Sequence, residues 1–345
     1  VHYGGQAVIE GVMMRGPEKV ATAVRLPDGQ IAVDSRDYVS ASRRHRLLRL
    51  PVIRGGVTLI ESLALGIKAL NYSASVAMEA DADDGSAPET GQDEAAASEA
   101  PGAAGDAEVG GKVTDGGRAE QAPGRTGRTD AETEPGWKKN AALTTTMLLA
   151  FGLGILVFFW IPMVLSQWLT DALGTDSGFI FNLIDGVIRV SFFIAYIWGI
   201  SQWKEMRRVF EYHGAEHKTM FMQEAGEQLV PQNSHHHTTK HPRCGTSFLL
   251  IVMVVSVLVF MTIGKPSTIG LRLGRLLLVP VIAGVSYELM KLAARHGDRT
   301  WARVMSAPGV WLQNITTKEP TDDQVEVAIA SLKAVRTNPD NVREA

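Results

Sequence analysis

Long uncharged apolar runs in the second half of the chain predict membrane-spanning helices. The longest extends from Asn140 to Thr170, which is 31 residues without a charged side chain. About 20 apolar residues cross a bilayer as a helix, so this run predicts a crossing, with Pro162 as a candidate kink. With three further stretches, we expect four crossings, at about 143–168, 187–203, 245–264 and 276–294.

The region before the first crossing has a different pattern. Arg54, Glu61 and Lys68 recur every seven residues and share one helical face, whereas apolar residues occupy another. The charges interrupt the apolar run, which favours an interfacial amphipathic helix over residues 51–78 rather than a span. An ordinary surface helix of a soluble domain is the alternative. The apolar face comprises Val57, Ile60, Ala64, Ile67 and Leu70.

Shorter signals predict two cytosolic elements near the ends of the chain. Apolar alternation between Lys19 and Val39, around the turn residues 27–29, predicts a small β-hairpin within a 1–50 segment. Residues 321–324 resemble a helix capping box. They predict an amphipathic helix that packs on something cytosolic, within a C-terminal segment at 305–345.

The charge of the chain is unevenly distributed. The segment from Glu79 to Glu134 has fifteen acidic and four basic residues, a net charge of −11. The whole chain has −3, which leaves +8 on the remainder. Residues 79–136 also have almost no large apolar side chains, so they cannot bury enough surface to offset chain entropy. We expect a disordered acidic linker there.

Basic residues orient the expected membrane domain, 140–304. The connection from Thr170 to Gly186 has no Lys or Arg, whereas the loop 204–244 and its flanks have six. An excess of Lys and Arg marks the cytoplasmic side, so both termini and this loop are expected in the cytoplasm. The fold class expected is mainly α: a polytopic helical membrane protein with about four transmembrane helices, the interfacial helix and a small cytosolic β-hairpin.

A candidate metal site lies in this cytoplasmic loop. His213, Glu216 and His217 fall in the helix-compatible stretch 204–225, which we expect to continue the second crossing. On a helix the two histidines are one turn apart, so they can bind one metal ion with a carboxylate near its bound water. The order of residues is the H-x-x-E-H of inverzincin metallopeptidases.

Further candidate ligands lie at the start of the third crossing and elsewhere. His241 and Cys244 offer an imidazole and a thiolate, both good ligands for zinc and related metals. Either could complete the site as a third ligand. Four carboxylates are additional candidates, namely Glu224, Glu288, Glu61 and Glu10.

Structural interpretations stand beside these assignments. His213 and His217 could be polar residues where a helix leaves the bilayer, and Cys244 a small buried residue. Glu288, inside a span, needs a partner, and Arg189 or Lys291 would serve as well as a metal. The triplet 235–237 is interpreted as chance metal-binding capacity.

Other classes of functional motif are absent from the sequence. The chain has no Walker loop and no dinucleotide fingerprint. It also has no basic stripe with interleaved aromatic residues, so no nucleic-acid partner is expected.

Several long motifs in fixed order resemble the YqhQ-like family of bacterial membrane proteins. They occur in residues 4–17, 59–70, 209–219, 241–260 and 306–320, and the resemblance covers nearly all the chain except the acidic insert. These proteins are of unknown function and are labelled predicted metal-dependent enzymes. The resemblance implies a protein of the bacterial cytoplasmic membrane, with Glu10 and Glu61 in family-like motifs.

Together these observations lead to a metal-binding membrane protein with its site at the cytoplasmic face. A divalent transition metal such as zinc would be held by His213, His217 and either His241 or Cys244, with Glu216 as general base, for metal-assisted hydrolysis. Besides the lipid bilayer, a cytosolic protein is the expected partner. The alternative is a non-enzymatic scaffold or assembly factor, and a transporter is the third hypothesis.

Overall fold

The computed structural model describes residues 3–41, 46–84, 136–266 and 268–336. The chain divides into two compact units, Val1–Ser86 with Gly152–Ala345, and Ala87–Phe151. In the second unit the described residues, 136–151, are helical. The acidic linker expected at 79–136 lies for the most part outside the described residues.

The chain begins with a four-stranded antiparallel sheet in the order β1-β2-β3-β4. Its strands are β1 (Gly4–Val8), β2 (Gly11–Arg15), β3 (Lys19–Arg25) and β4 (Ile31–Asp37). The expected hairpin is β3–β4, and its turn contains Gly29 at φ 84°. Strands β1 and β2 extend that hairpin, and they were not predicted because their apolar run is short.

Helix α1 (Ile53–Asp84) follows, after a short 3-10 helix at Arg46–Arg49. It extends six residues beyond the predicted end at 78, into the start of the expected linker. Ala69 is buried in a small cluster with Val8 and Met13, but other apolar side chains stay exposed, at 69% for Ile60 and 64% for Leu63. An exposed apolar stripe is typical of a helix that lies in a membrane interface, as the sequence predicts.

Four helical stretches among the described residues are long and apolar enough to cross a membrane, which confirms a polytopic helical membrane protein. The first, Leu148–Ala172, is made of helix α2 (Gly136–Ile155), a π-helical turn at Leu156–Trp160, and helix α3 (Ile161–Ala172). The other three lie in α4 (Gly178–Ile200), α6 (Gly245–Ile263) and α7 (Ile269–Arg295).

The second span begins nine residues before the predicted position. The prediction treated Asp185 and Arg189 as the edge of the apolar run, but the two side chains form an ion pair at 2.8 Å inside α4. Arg189 also donates to the carbonyl oxygen of Phe158 at 3.1 Å. Pro162, four residues later, has no N–H to offer that carbonyl. Arg189 therefore pairs with a buried aspartate and also donates to the carbonyl oxygen that the proline leaves without its helical donor.

Three more helices complete the chain: α5 (Lys204–Ala225), α8 (Thr300–Thr316) and α9 (Asp322–Val335). Helix α5 does not continue the second crossing as expected, because residues 201–203 break the helix. Helix α9 has the predicted capping box at Thr321 and buries Val325, Ile329 and Leu332. Its apolar face packs on β2, β3 and α5 of its own chain.

Candidate metal centre

Helix α5 carries two imidazoles one turn apart, both oriented by backbone carbonyls. His213 Nδ1 lies 2.8 Å from the carbonyl oxygen of Thr316. His217 Nδ1 lies 2.5 Å from the carbonyl oxygen of Thr239. A carbonyl only accepts, so Nδ1 of each ring donates and carries the proton in the neutral form. Nε2 of each ring is left with a lone pair, which is the state in which histidine binds a metal.

Cys244 is the N-cap residue of α6 and lies against these rings. Its Sγ accepts a hydrogen bond from the Thr246 N–H at 3.4 Å, and it lies 3.1 Å from Thr246 Oγ1. The first turn of a helix favours a negative charge on a capping atom. His213 Nε2 lies 3.1 Å from the sulfur. The thiol of α6 and the imidazoles of α5 therefore converge.

The donor set fits a divalent transition metal. Ligand atoms of His213, His217 and Cys244 all lie within 4.8 Å of one another. Tetrahedral zinc bonds of about 2.0–2.3 Å would place such atoms about 3.3–3.8 Å apart. His217 Nε2 is buried and has no hydrogen-bond partner among the described residues. A buried lone pair that no protein group satisfies is what a metal ligand leaves when no ion is present.

Burial also fixes the protonation state of this ligand. It lowers the pKa of His217 below its usual value and outweighs the opposing effect of the nearby Cys244, and the neighbouring His213 ring also lowers this pKa. The ring is therefore neutral near pH 7, as coordination requires.

Glu216 lies beside the cluster, between α5 and β1. Its Oε2 is 4.0 Å from His213 Nε2, and the residue is buried. A Cβ atom at Gly5 would lie 2.6 Å from Glu216 Cγ, so the strand can approach only because residue 5 is glycine. Burial raises the pKa of Glu216, against the opposing effect of the His213 and His241 imidazoles. A carboxyl group with a raised pKa suits proton transfer near neutral pH.

His241 is adjacent to the cluster, but its ring has the opposite tautomer from His213 and His217. The Arg243 N–H donates to His241 Nδ1 at 3.3 Å, so in the neutral ring the proton is on Nε2. That nitrogen lies 3.3 Å from Glu224 Oε1, but it is buried and makes no hydrogen bond to a described residue, as at His217. The geometry favours Cys244 over His241 as the third ligand, because the sulfur and not His241 lies within 4.8 Å of the ligand atoms of both α5 histidines.

Two of the additional candidate carboxylates have arginine partners. Glu288 forms a bidentate pair with Arg54, with both oxygens 2.7 Å from Nη2. The sequence did not indicate Arg54 as its partner, because the two residues are 234 positions apart. Glu224 pairs with Arg243. Burial opposes its ionisation, but contacts with His241 and Arg243 hold the pKa of Glu224 below its usual value.

The other two candidates also pair with arginines, one in β2 and one in α5. Glu61 Oε2 lies 3.3 Å from Arg15, and its Oε1 accepts from the Ala41 N–H at 2.6 Å. Glu10 pairs with Arg208 of α5. These four carboxylates are not part of the three-residue cluster among the described residues.

The histidine triplet forms a second, exposed group. His236 and His237 lie 3.3 and 2.8 Å from the oxygens of Glu227, and these three residues could also hold a metal ion. His235 contacts Asp322 at 2.6 Å instead. In this group each Nε2 already faces a carboxylate, unlike the Nε2 of His217.

Two residues that support the cluster were not predicted from the sequence. Gln313 of α8 donates to the His241 carbonyl at 2.8 Å and accepts from its N–H at 2.7 Å. Gly214 allows the backbone of Lys318 to approach, since a Cβ atom there would lie 2.1 Å from that carbonyl oxygen. Both fall in motifs of the family resemblance, but only the packing of α5, α6 and α8 reveals their roles.

A cavity of about 410 Å³ lies beside the cluster. His213, Glu216, His217 and Cys244 all line it, together with residues 4–6 of β1. The candidate ligands and the carboxylate therefore face a space large enough for a small substrate group.

Comparison with known proteins agrees with the family resemblance of the sequence motifs. The family model described as "Protein of unknown function (DUF1385)" matches residues 50–338. The chain is 30% identical over 342 residues to the uncharacterized protein YqhQ of Bacillus subtilis (strain 168). That alignment covers 95% of the chain and 90% of the relative, and it confirms the resemblance. No solved structure matches the chain.

Proposed function

Because the chain belongs to the DUF1385 family of proteins of unknown function, its role has to be inferred from its own site, and we propose that it is a metal-dependent hydrolase of the bacterial cytoplasmic membrane. One observation carries the proposal. Three donor atoms from α5 and the N-cap of α6 converge beside a cavity, and one of them, His217 Nε2, is buried and has no hydrogen-bond partner among the described residues.

The ligand set supports a catalytic rather than a purely structural ion. His213, His217 and Cys244 supply three ligands, and structural zinc sites use four. Together these three residues would hold the ion, and a set of three protein ligands is typical of catalytic zinc sites. An ion of this class supplies Lewis-acid polarisation and activation of water.

The remaining chemistry belongs to the side chains of the chain. Glu216 would accept a proton from the attacking water and return it to the leaving group, since its carboxyl group borders the same cavity. The carbonyls of Thr316 and Thr239 hold the two imidazoles in the tautomer that coordination needs.

The proposed location is the cytoplasmic face of the membrane. Helix α4 ends, α6 begins and α7 ends at the same side, because consecutive spans alternate in direction. The connection between α4 and α6 and the residues from 291 to 303 contain ten Lys and Arg, six and four respectively. The positive-inside rule assigns this side, and the candidate metal centre with it, to the cytoplasm.

The first experiment is elemental analysis of the detergent-purified full chain, with any purification tag removed. We expect about one transition metal per chain in the wild type and almost none in His213→Ala/His217→Ala. The matched control is His236→Ala/His237→Ala, which also removes two histidines and should keep the metal. Equal metal content in the wild type and the His213→Ala/His217→Ala variant would contradict the proposal.

Cobalt substitution adds a spectroscopic test of the third ligand. A thiolate bound to Co²⁺ gives a sulfur-to-metal charge-transfer band, which Cys244→Ser should abolish and His241→Ala should leave in place. Absence of this band from the cobalt-loaded wild type would assign the third position to His241, because Cys244 is the single cysteine of the chain. Glu216→Gln should retain the metal, since it removes the proton acceptor and no ligand.

The scaffold alternative needs a free cytosolic surface, and the apolar face of α9 does not provide one. That face is buried against the sheet and α5 of its own chain.

A further inference from the structure

A second, polar cavity adjoins the candidate metal centre. It has a volume of about 660 Å³ and shares residues 3–6, Ser62 and Arg243 with the first cavity. A group held in one cavity can therefore extend into the other. Local sequence pattern does not predict this cavity, because its lining comes from β1, β2, α1, the connection before α6 and the end of α7.

The lining of this polar cavity is basic. It includes four cationic side chains and, among the described residues, no carboxylate. The cations are Arg15, Arg54, Arg243 and Lys291. Hydroxyl groups of Tyr38, Ser40, Thr58, Ser62 and Tyr287 complete the polar surface. Guanidinium and ammonium groups combined with hydroxyl donors are the usual recognition groups for phosphate.

The charges of these four residues are unevenly compensated. Each arginine has one acidic partner outside the lining, namely Glu61 for Arg15, Glu288 for Arg54 and Glu224 for Arg243. Lys291 has no salt bridge within 4.0 Å in the described part of the chain. The lining therefore retains an uncompensated positive charge, which an anion would balance.

The position of the cavity points to an amphiphilic ligand. Arg54 is near the start of the interfacial helix α1, and Tyr287 and Lys291 are near the end of the span in α7. Close packing of Gly55 on Gly284 joins these helices, since a Cβ atom at Gly55 would lie 2.8 Å from the Gly284 Cα atom. The cavity is thus built where a span ends, at the level of lipid headgroups.

We propose that the polar cavity binds the phosphate group of an anionic lipid and so selects a phospholipid-like substrate for the adjacent metal centre. The role of the lipid as a substrate rests on the proposed function. The binding of phosphate in the polar cavity is independent of it. Phosphate recognition uses the four cations and the hydroxyls, whereas the chemistry uses the cluster on α5 and α6.

The test measures binding in the His213→Ala/His217→Ala variant, so that no ion at the cluster can hold the phosphate. Inorganic phosphate and a short-chain phosphatidic acid are titrated separately into the full chain, in an uncharged detergent without phosphate buffer. Lys291→Gln, made in this background, should weaken phosphatidic acid binding about tenfold, since it removes one charge-assisted hydrogen bond. The control Lys333→Gln replaces an exposed lysine outside the cavity and should have no effect.

The possible outcomes distinguish a site for a lipid phosphate from a site for soluble phosphate. Tighter binding of the phosphatidic acid than of inorganic phosphate, together with weaker binding of the phosphatidic acid in Lys291→Gln, supports the lipid site. Equal affinity for both ligands would overturn the lipid source and assign the cavity to soluble phosphates. Unchanged binding in Lys291→Gln, or no binding at all, would overturn the cavity assignment. None of these results depends on metal content, so a failure of the proposed metal centre is recognised separately by elemental analysis.

Discussion

At the scale of single residues, glycines allow the candidate metal centre to form. Gly214, between His213 and Glu216, lets the backbone of Lys318 contact α5, and the Lys318 N–H donates to the Phe210 carbonyl at 2.9 Å. The carbonyl that orients His213, from Thr316, precedes this contact by two residues. The absence of a side chain at Gly214 therefore permits the contact that helps to orient His213.

Gly214→Ala tests this dependence. The added Cβ atom would lie 2.1 Å from a backbone oxygen, so the α8–α9 connection must move. We expect a loss of about 1–3 kcal/mol in stability, together with lower metal occupancy. Thermal unfolding in detergent and elemental analysis measure the two effects.

The control for this substitution is Gly199→Ala. A Cβ atom at Gly199 meets nothing within 4 Å, so the change should be neutral or slightly stabilising. If the two alanine variants are equally stable and contain equal metal, the contact at Gly214 does not orient His213.

At the scale of elements, the ion pair inside α4 connects two spans. Asp185 is buried, and its partner Arg189 also donates to carbonyls of the π-helical turn at Leu156–Trp160. The pair neutralises two charges that would otherwise be costly at this depth. It also links α4 to the first span at the point where Pro162 interrupts the helical hydrogen bonds.

Removal of one partner should be much worse than removal of both. Arg189→Met leaves a buried aspartate unpaired, and we expect a loss of about 3–5 kcal/mol. The double variant Asp185→Asn/Arg189→Met should be more stable than Arg189→Met alone, as in a double-mutant cycle. Unfolding of the detergent-purified variants in increasing denaturant provides the measurement. Additive losses would indicate that the two side chains do not stabilise each other.

At the scale of the whole molecule, the arrangement depends on both the spans and the sheet. The sheet, α5 and α9 share one buried core, and α5 also presents the candidate ligands. The candidate metal centre therefore lies where this core meets the start of α6. Its proposed cytoplasmic location depends on the orientation of all four spans together.

Cysteine labelling in whole cells tests that orientation. In a Cys244→Ser background, Asp176→Cys introduces a thiol between α3 and α4, and Gln228→Cys introduces one between α5 and α6. A membrane-impermeant maleimide should label residue 176 in intact cells and residue 228 only after permeabilisation. The opposite pattern would place the candidate metal centre outside the cytoplasm and contradict the positive-inside assignment.

The sequence by itself determined the features that depend on local pattern. Uncharged runs defined the four spans, residues 27–29 defined the β3–β4 turn, and the capping box at Thr321 defined the start of α9. The spacing of His213 and His217 placed both imidazoles on one helical face. These features depend on residues a few positions apart, so periodicity and turn chemistry are enough to predict them.

Only the tertiary structure decided which distant residues meet. It brought Cys244 rather than His241 to the lone pairs of α5, and paired Glu288 with Arg54. It also buried Asp185 with Arg189, which moved the start of a span. Such choices depend on which helices pack together and on where a glycine permits close approach. The free energy of a pair depends on burial and geometry in three dimensions, which spacing along the chain does not specify.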